Sequence, residues 1–127
     1  MDALRPVSLR RALDSFTETW SPKIVARVND FALKVVKLDG DFVWHHHADD
    51  DEIFLVLHGR IDMHYRDDGG AERLVTFGDG ELLAMPRGVE HKPLAAAGTE
   101  LLLFERADVV NTGNIHDSDR TRAAEQL

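Results

Sequence analysis

Cysteine is absent from the 127 residues, which removes disulfide frameworks, thiolate metal sites and cysteine nucleophiles together. Any metal must therefore be held by nitrogen and oxygen. No run approaches the roughly 20 apolar residues of a membrane-spanning helix. The opening MDALRPVSLRRALDSF carries charges throughout and has no apolar stretch of signal-peptide length. The expectation is a cytoplasmic protein with no membrane partner. Clustered basic residues are lacking too. The 15 Lys and Arg are scattered and the formal net charge is −8, which argues against a nucleic-acid partner, whose phosphates are met by grouped cations.

What is present is ordinary for a folded domain: 43% hydrophobic and 30% charged residues, in a length that suits one core without disulfides. Leu9, Ala12, Leu13 and Phe16 recur at helical spacing behind Ser8 as N-cap, and Ser21-Pro22 stops any continuation. One short helix is predicted. Beyond it, short β-type runs alternate with turn signals, as in an all-β sandwich or barrel. The predicted strands are 24–28, 31–38, 42–47, 53–57, 61–66, 73–77, 82–85, 91–94 and 99–105. The chain divides into a helical arm (1–22), an all-β body (23–106) and a polar tail (107–127) that includes the turn Asn111-Thr112-Gly113.

Ile61, Met63 and Tyr65 alternate with Asp62 and His64, so one face of that strand is buried and the other wet. Residues 53–57 and 101–104 are apolar on both faces, which leaves an apolar stripe outside a one-layer barrel. The helix covers part of it, and a homodimer is expected to cover the rest. Trp44, on the outward face with His46, is expected to pack against the helix or that second copy.

In Trp44-His45-His46-His47 the strand period of two puts His45 and His47 on one face and His46 on the other. Two such imidazoles can reach one ion. Four residues lie between His47 and Glu52, and a hairpin joining the two strands would return Glu52 beside the pair. Further on, Gly80, Pro86, Gly88 and His91 mark a tight turn from which His91 leaves on a new strand. Three imidazoles and one carboxylate suit Fe, Mn, Ni, Cu or Zn as a divalent ion. Phe54 and Val56 share the face of Glu52 and should line the space over the metal. His58, His64 and His116 read as structure or surface.

These residues resemble the two motifs of the cupins. Gly40, His45, His47, Glu52 and Gly59 stand close to the first motif's spacing, and Gly80, Pro86, Gly88 and His91 match the second, with 20 residues between Gly59 and Gly80. There are two departures. Four residues rather than about five separate Gly40 from His45, and Ala95 stands where the family often has Asn. The resemblance implies a small cupin β-barrel (a double-stranded β-helix, or jelly roll) behind a short N-terminal helix, with His45, His47, Glu52 and His91 on the metal. It is similar to the metal-binding core of mannose-6-phosphate isomerases.

The family's metal serves oxygenases, Lewis-acid isomerases and ligand-binding or sensor modules, and fold does not choose among them. A sugar phosphate needs a cationic clamp, and no Lys or Arg cluster flanks either motif. The expectation is a metal-dependent, oxygenase-like enzyme on a small organic substrate; a metal-dependent binding module and an isomerase-like enzyme are the alternatives.

Overall fold

The computed structural model describes residues 3–116 and 118–127. Residues 1, 2 and 117, in the expected arm and tail, lie outside the described residues. One helix, α1 (Leu9–Asp14), precedes eight strands: β1 (Lys23–Val28), β2 (Phe31–Asp41), β3 (Glu52–His58), β4 (Arg60–Arg66), β5 (Glu72–Gly78), β6 (Leu82–Met85), β7 (His91–Arg106) and β8 (Glu125–Gln126). They form one sheet in the order β5-β4-β7-β2-β1-β8, with β3 joined to β7 and β6. The ladder does not close on itself, and the architecture is all-β, as the turn spacing predicts, and a jelly roll, as the cupin resemblance implies.

β7 organises the sheet. One edge pairs with β2 from Phe31↔Arg106 to Asp41↔Leu94. Its other edge pairs first with β4 (Ile61↔Ala95) and then with β3 (Val56↔Leu101). The two strands expected at 91–94 and 99–105 are thus one strand with a bend. At the bend Gly98 takes φ +80° and the Thr99 hydroxyl donates to the Ala96 carbonyl (2.7 Å), so the chain turns without leaving the sheet.

The expected strand at 42–47 is irregular. Its one bridge is His45↔His91, flanked by β2 before it and a bend at residues 48–49 after it.

Period-two alternation sorts the buried side chains into two clusters. Val36, Leu38, Phe54, Val56, Ile61, Met63, Leu101 and Leu103 fill the interior. Outside, Ala12 and Leu13 of α1 and Phe16 just beyond it cover Val35, with Leu57 and Leu102 packed against them. A helix of six residues is too short to hold itself in water, so this packing is what keeps it folded. It covers the expected outer stripe at Leu57 and Leu102, while Ile53 stays exposed. Trp44 meets two cations of the sheet. Its half-buried ring lies under the Arg66 guanidinium, 4.6 Å from the ring centre, with the Lys92 ammonium at 6.0 Å.

The chain after Arg106 packs on the body. Thr112 is fully buried, Val109 is buried, and β8 runs parallel to β1.

Candidate metal centre

His45, His47, Glu52 and His91 converge at one end of the interior, all buried. Three different devices place them. The backbones of His45 and His91 exchange both hydrogen bonds, at 3.0 and 2.9 Å, and their ring centres lie 4.3 Å apart. The Gly88 N–H donates to the His47 carbonyl (2.8 Å), so the Pro86–Gly88 turn also holds the histidine segment. Glu52 opens β3 opposite Met85 of β6. It therefore arrives from a different strand pair, and the hairpin expected to join 42–47 with 53–57 does not form, because 42–47 pairs with His91 instead.

A fourth support comes from the C-terminal segment. The Asn114 N–H donates to the His46 carbonyl (3.0 Å), and the His46 N–H donates to Asn114 Oδ1 (2.8 Å). Gly113 makes this approach possible: its φ is +54°, and a Cβ there would stand 2.2 Å from the His46 carbonyl oxygen. His46 is thus gripped by its backbone while its neighbours point inward.

The ring orientations are set for ligation. His45 Nδ1–H donates to the Val43 carbonyl and His91 Nδ1–H to the Val89 carbonyl, both at 2.8 Å. In that tautomer Nε2 is left as the acceptor, the arrangement that histidine ligands use. Donor atoms of His45, His47 and His91 lie within 4.8 Å of one another. Glu52 Oε1 stands 3.1 Å from His47 Nε2 and 3.6 Å from His91 Nε2.

These contacts are not ion pairs at neutral pH. Burial lowers the His45 pKa to about 3, with His91 beside it adding to the effect. Burial lowers His91 to about 4, also lowers His47, and raises Glu52. Accordingly Glu52 Oε1, His47 Nε2 and His91 Nε2 are buried without a hydrogen-bond partner. Orphaned polar atoms of this kind cost about 1–3 kcal/mol each unless something binds them. Neutral imidazoles and a carboxylate facing one space form a donor set that a divalent transition metal fits.

A cavity of about 40 Å³ adjoins the cluster, bordered by His45 and Glu52 and walled by Trp20, Phe42, Phe54 and Leu101. Phe54 borders this cavity. Val56 is fully buried in the interior cluster but does not border the cavity. His58 and His64 lie outside the cluster, near Asp79 and Glu72.

Sequence reading missed one further pair of buried charges. Lys34 of β2 and Glu105 of β7 form an ion pair at 3.0 Å, and Glu105 also borders the cavity. The signal was there: Lys34 shares the inward parity of Ala32 and Val36, and Glu105 that of Leu101 and Leu103. A single charge of each sign at inward positions of two long apolar strands points to a buried pair.

Known proteins resemble this chain in sequence and fold. Residues 33–105 match the cupin domain family, which is more than half of the chain. The uncharacterized protein YdbB of Bacillus subtilis (strain 168) is 32% identical over 81 residues, 64% of this chain and 68% of that protein. A cupin-2 domain containing protein from Shewanella frigidimarina NCIMB 400 superposes with a TM-score of 0.73 at 37% identity, over 79% of this chain and 93% of that one. Hydroquinone 1,2-dioxygenase from Sphingomonas sp. TTNP3, solved in complex with 4-nitrophenol, superposes with a TM-score of 0.72 at 25% identity. There the match covers 80% of this chain but only 32% of the dioxygenase chain. With the two histidine-bearing segments, the jelly roll and the matched residues in agreement, this chain belongs to the cupin family.

Proposed function

We propose that the chain is a metal-dependent, oxygenase-like cupin enzyme that acts on a small organic substrate at one divalent transition metal held by His45, His47, Glu52 and His91. The observation that carries this reading is the set of buried, unpaired acceptor atoms on His47, Glu52 and His91, aimed into one space. An ion there would supply a Lewis-acid centre and, if it is iron, a redox-active one.

The chain's own residues do the rest. The Val43 and Val89 carbonyls orient His45 and His91. Phe54, Phe42 and Trp20 exclude bulk water from the cavity side and offer aromatic surface to a substrate. No Lys or Arg is among the described residues that border the cavity, so an apolar or uncharged substrate suits it better than a sugar phosphate. At about 40 Å³ the cavity has room for a few waters, so a substrate must enter with movement of its walls. The dioxygenase relative acts on hydroquinone, which supports an oxidative role on a small aromatic molecule.

The reading extends to a homodimer, supported by the exposed Ile53, Leu74 and Leu82 on the sheet. A monomer by light scattering at micromolar concentration contradicts that part alone.

The deciding experiment is anaerobic reconstitution with Fe(II), followed by O₂ uptake on adding a panel of hydroquinones and phenols. Uptake that needs substrate and disappears when Zn(II) replaces iron is the expected result. Turnover with Zn(II) or Mn(II) without air would reassign the chain as a Lewis-acid isomerase. Ligand binding with several metals and no turnover would make it a binding module.

A further inference from the structure

Glu105 lies at the inward end of β7, 1% exposed, and its partner Lys34 is fully buried. The ammonium has all three protons placed: on Glu105 Oε1 at 3.0 Å, the Arg106 carbonyl at 3.2 Å and the Val109 carbonyl at 3.3 Å. The other oxygen, Oε2, is buried without a well-formed hydrogen bond, and the Glu52 carboxyl is its close neighbour. Donor atoms of Glu105, Glu52 and His47 lie within 4.8 Å of one another, and His47 also belongs to the triad with His45 and His91.

Stability does not account for this arrangement. A buried ion pair contributes little compared with apolar side chains of the same volume, and an unpaired carboxylate oxygen adds a further cost. A pair serving the fold alone would have both oxygens satisfied. Here Lys34 fixes Oε1 and leaves Oε2 without a hydrogen bond, in a carboxyl that lies beside Glu52 and His47.

We propose that Glu105 is an additional carboxylate ligand of the metal site, offering Oε2 to the ion, and that Lys34 is the positioning residue that holds it. The inference rests on the reading of His45, His47, Glu52 and His91 as a metal site. Two carboxylates balance the charge of a divalent ion and raise the share of oxygen donors, which shifts preference toward Mn(II) and Fe(II) and away from Cu(II).

The test is Mn(II) binding to the full chain, read by chelator competition and by the electron paramagnetic resonance spectrum of the bound ion. Glu105→Gln should weaken Mn(II) binding about 10-fold or more and change the spectrum. The double variant Lys34→Met/Glu105→Leu, which removes both buried charges and keeps the interior filled, should do the same. It decides the matter by the same readouts if Glu105→Gln fails to fold. Unaltered affinity and spectrum in either folded variant, while Glu52→Ala and His91→Ala lose the ion, would overturn the role of Glu105 and leave the four-residue site standing. An unaltered chain that binds no Mn(II), Fe(II) or Zn(II) would overturn both.

Discussion

The two buried clusters of this domain are built from the same strands and differ in what they leave unfinished. Beneath α1, Leu13, Phe16, Val35 and Leu102 pack with Ala12 and Leu57, and the ammonium groups that lie over the Phe16 ring, those of Lys23 and Lys37, are already paired with Glu18 and Glu125 and with the Phe16 carbonyl. Across the sheet, one residue out of step, the interior holds apolar side chains together with three imidazoles, two carboxylates and a lysine. Oxygens of both Glu52 and Glu105 there lack partners. The outer cluster is complete by itself, whereas the inner one is complete only when something fills its end. Residues that serve binding are held there at a cost to stability that the outer face does not carry.

That contrast can be broken by substitution. The largest effect is expected at Lys34→Met, which takes from the Glu105 carboxylate the cation that pairs with it. Unfolding in denaturant should show a loss of about 3–5 kcal/mol. Leu13→Ala should lose about 2–5 kcal/mol, because the side chain is 2% exposed under the sheet, while metal binding stays unchanged. Glu52→Leu should act in the opposite sense: the metal-free protein gains about 1–3 kcal/mol as an orphaned acceptor is removed, and the metal is lost. If Glu52→Leu destabilises the metal-free protein as Leu13→Ala does, the inner cluster is ordinary core and the contrast fails.

A smaller effect concerns pH. In metal-free protein the His91 pKa is about 4, against 6.5 for an ordinary histidine, because burial disfavours the cation. Between those values the unfolded chain takes up a proton that the folded chain refuses, so this group lowers stability as pH falls from 6.5 toward 4. The raised Glu52 and Glu105 work in the opposite direction above pH 4.5, so the histidine contribution must be isolated by difference. The stability of His91→Leu relative to the unaltered protein should rise by up to about 1.4 kcal/mol per pH unit on acidification through that window. A difference that does not vary with pH would mean that His91 is solvated.

How much of this was legible in the chain depends on the range of the interactions. The helix from its N-cap, the alternation of Ile61 and Met63, and the pairing of His45 with His47 follow from local periodicity, and the structure keeps them. The route by which Glu52 reaches the histidines was not legible, because β3 pairs with β6 and β7 across long sequence separations. Nor was the single bent β7: the run Ala95-Ala96-Ala97-Gly98 looks like a break, yet β2 carries the ladder past it. Asn111-Thr112-Gly113 gave no functional signal because its work is done on a distant backbone. Gly113 and Asn114 pack against His46, more than sixty residues earlier in the chain. Local chemistry was readable, whereas the contacts that aim it were not.

The metal site proposed at the inner end of the domain is tested most directly by the metal content of protein produced without an affinity tag. Elemental analysis should find about one transition-metal ion per chain in the unaltered protein and in His46→Ala, whose side chain is not among the converging donors. It should find almost none in Glu52→Ala or His91→Ala. Metal retained at full occupancy in both of those variants, or lost in His46→Ala and kept in His45→Ala, would contradict the account.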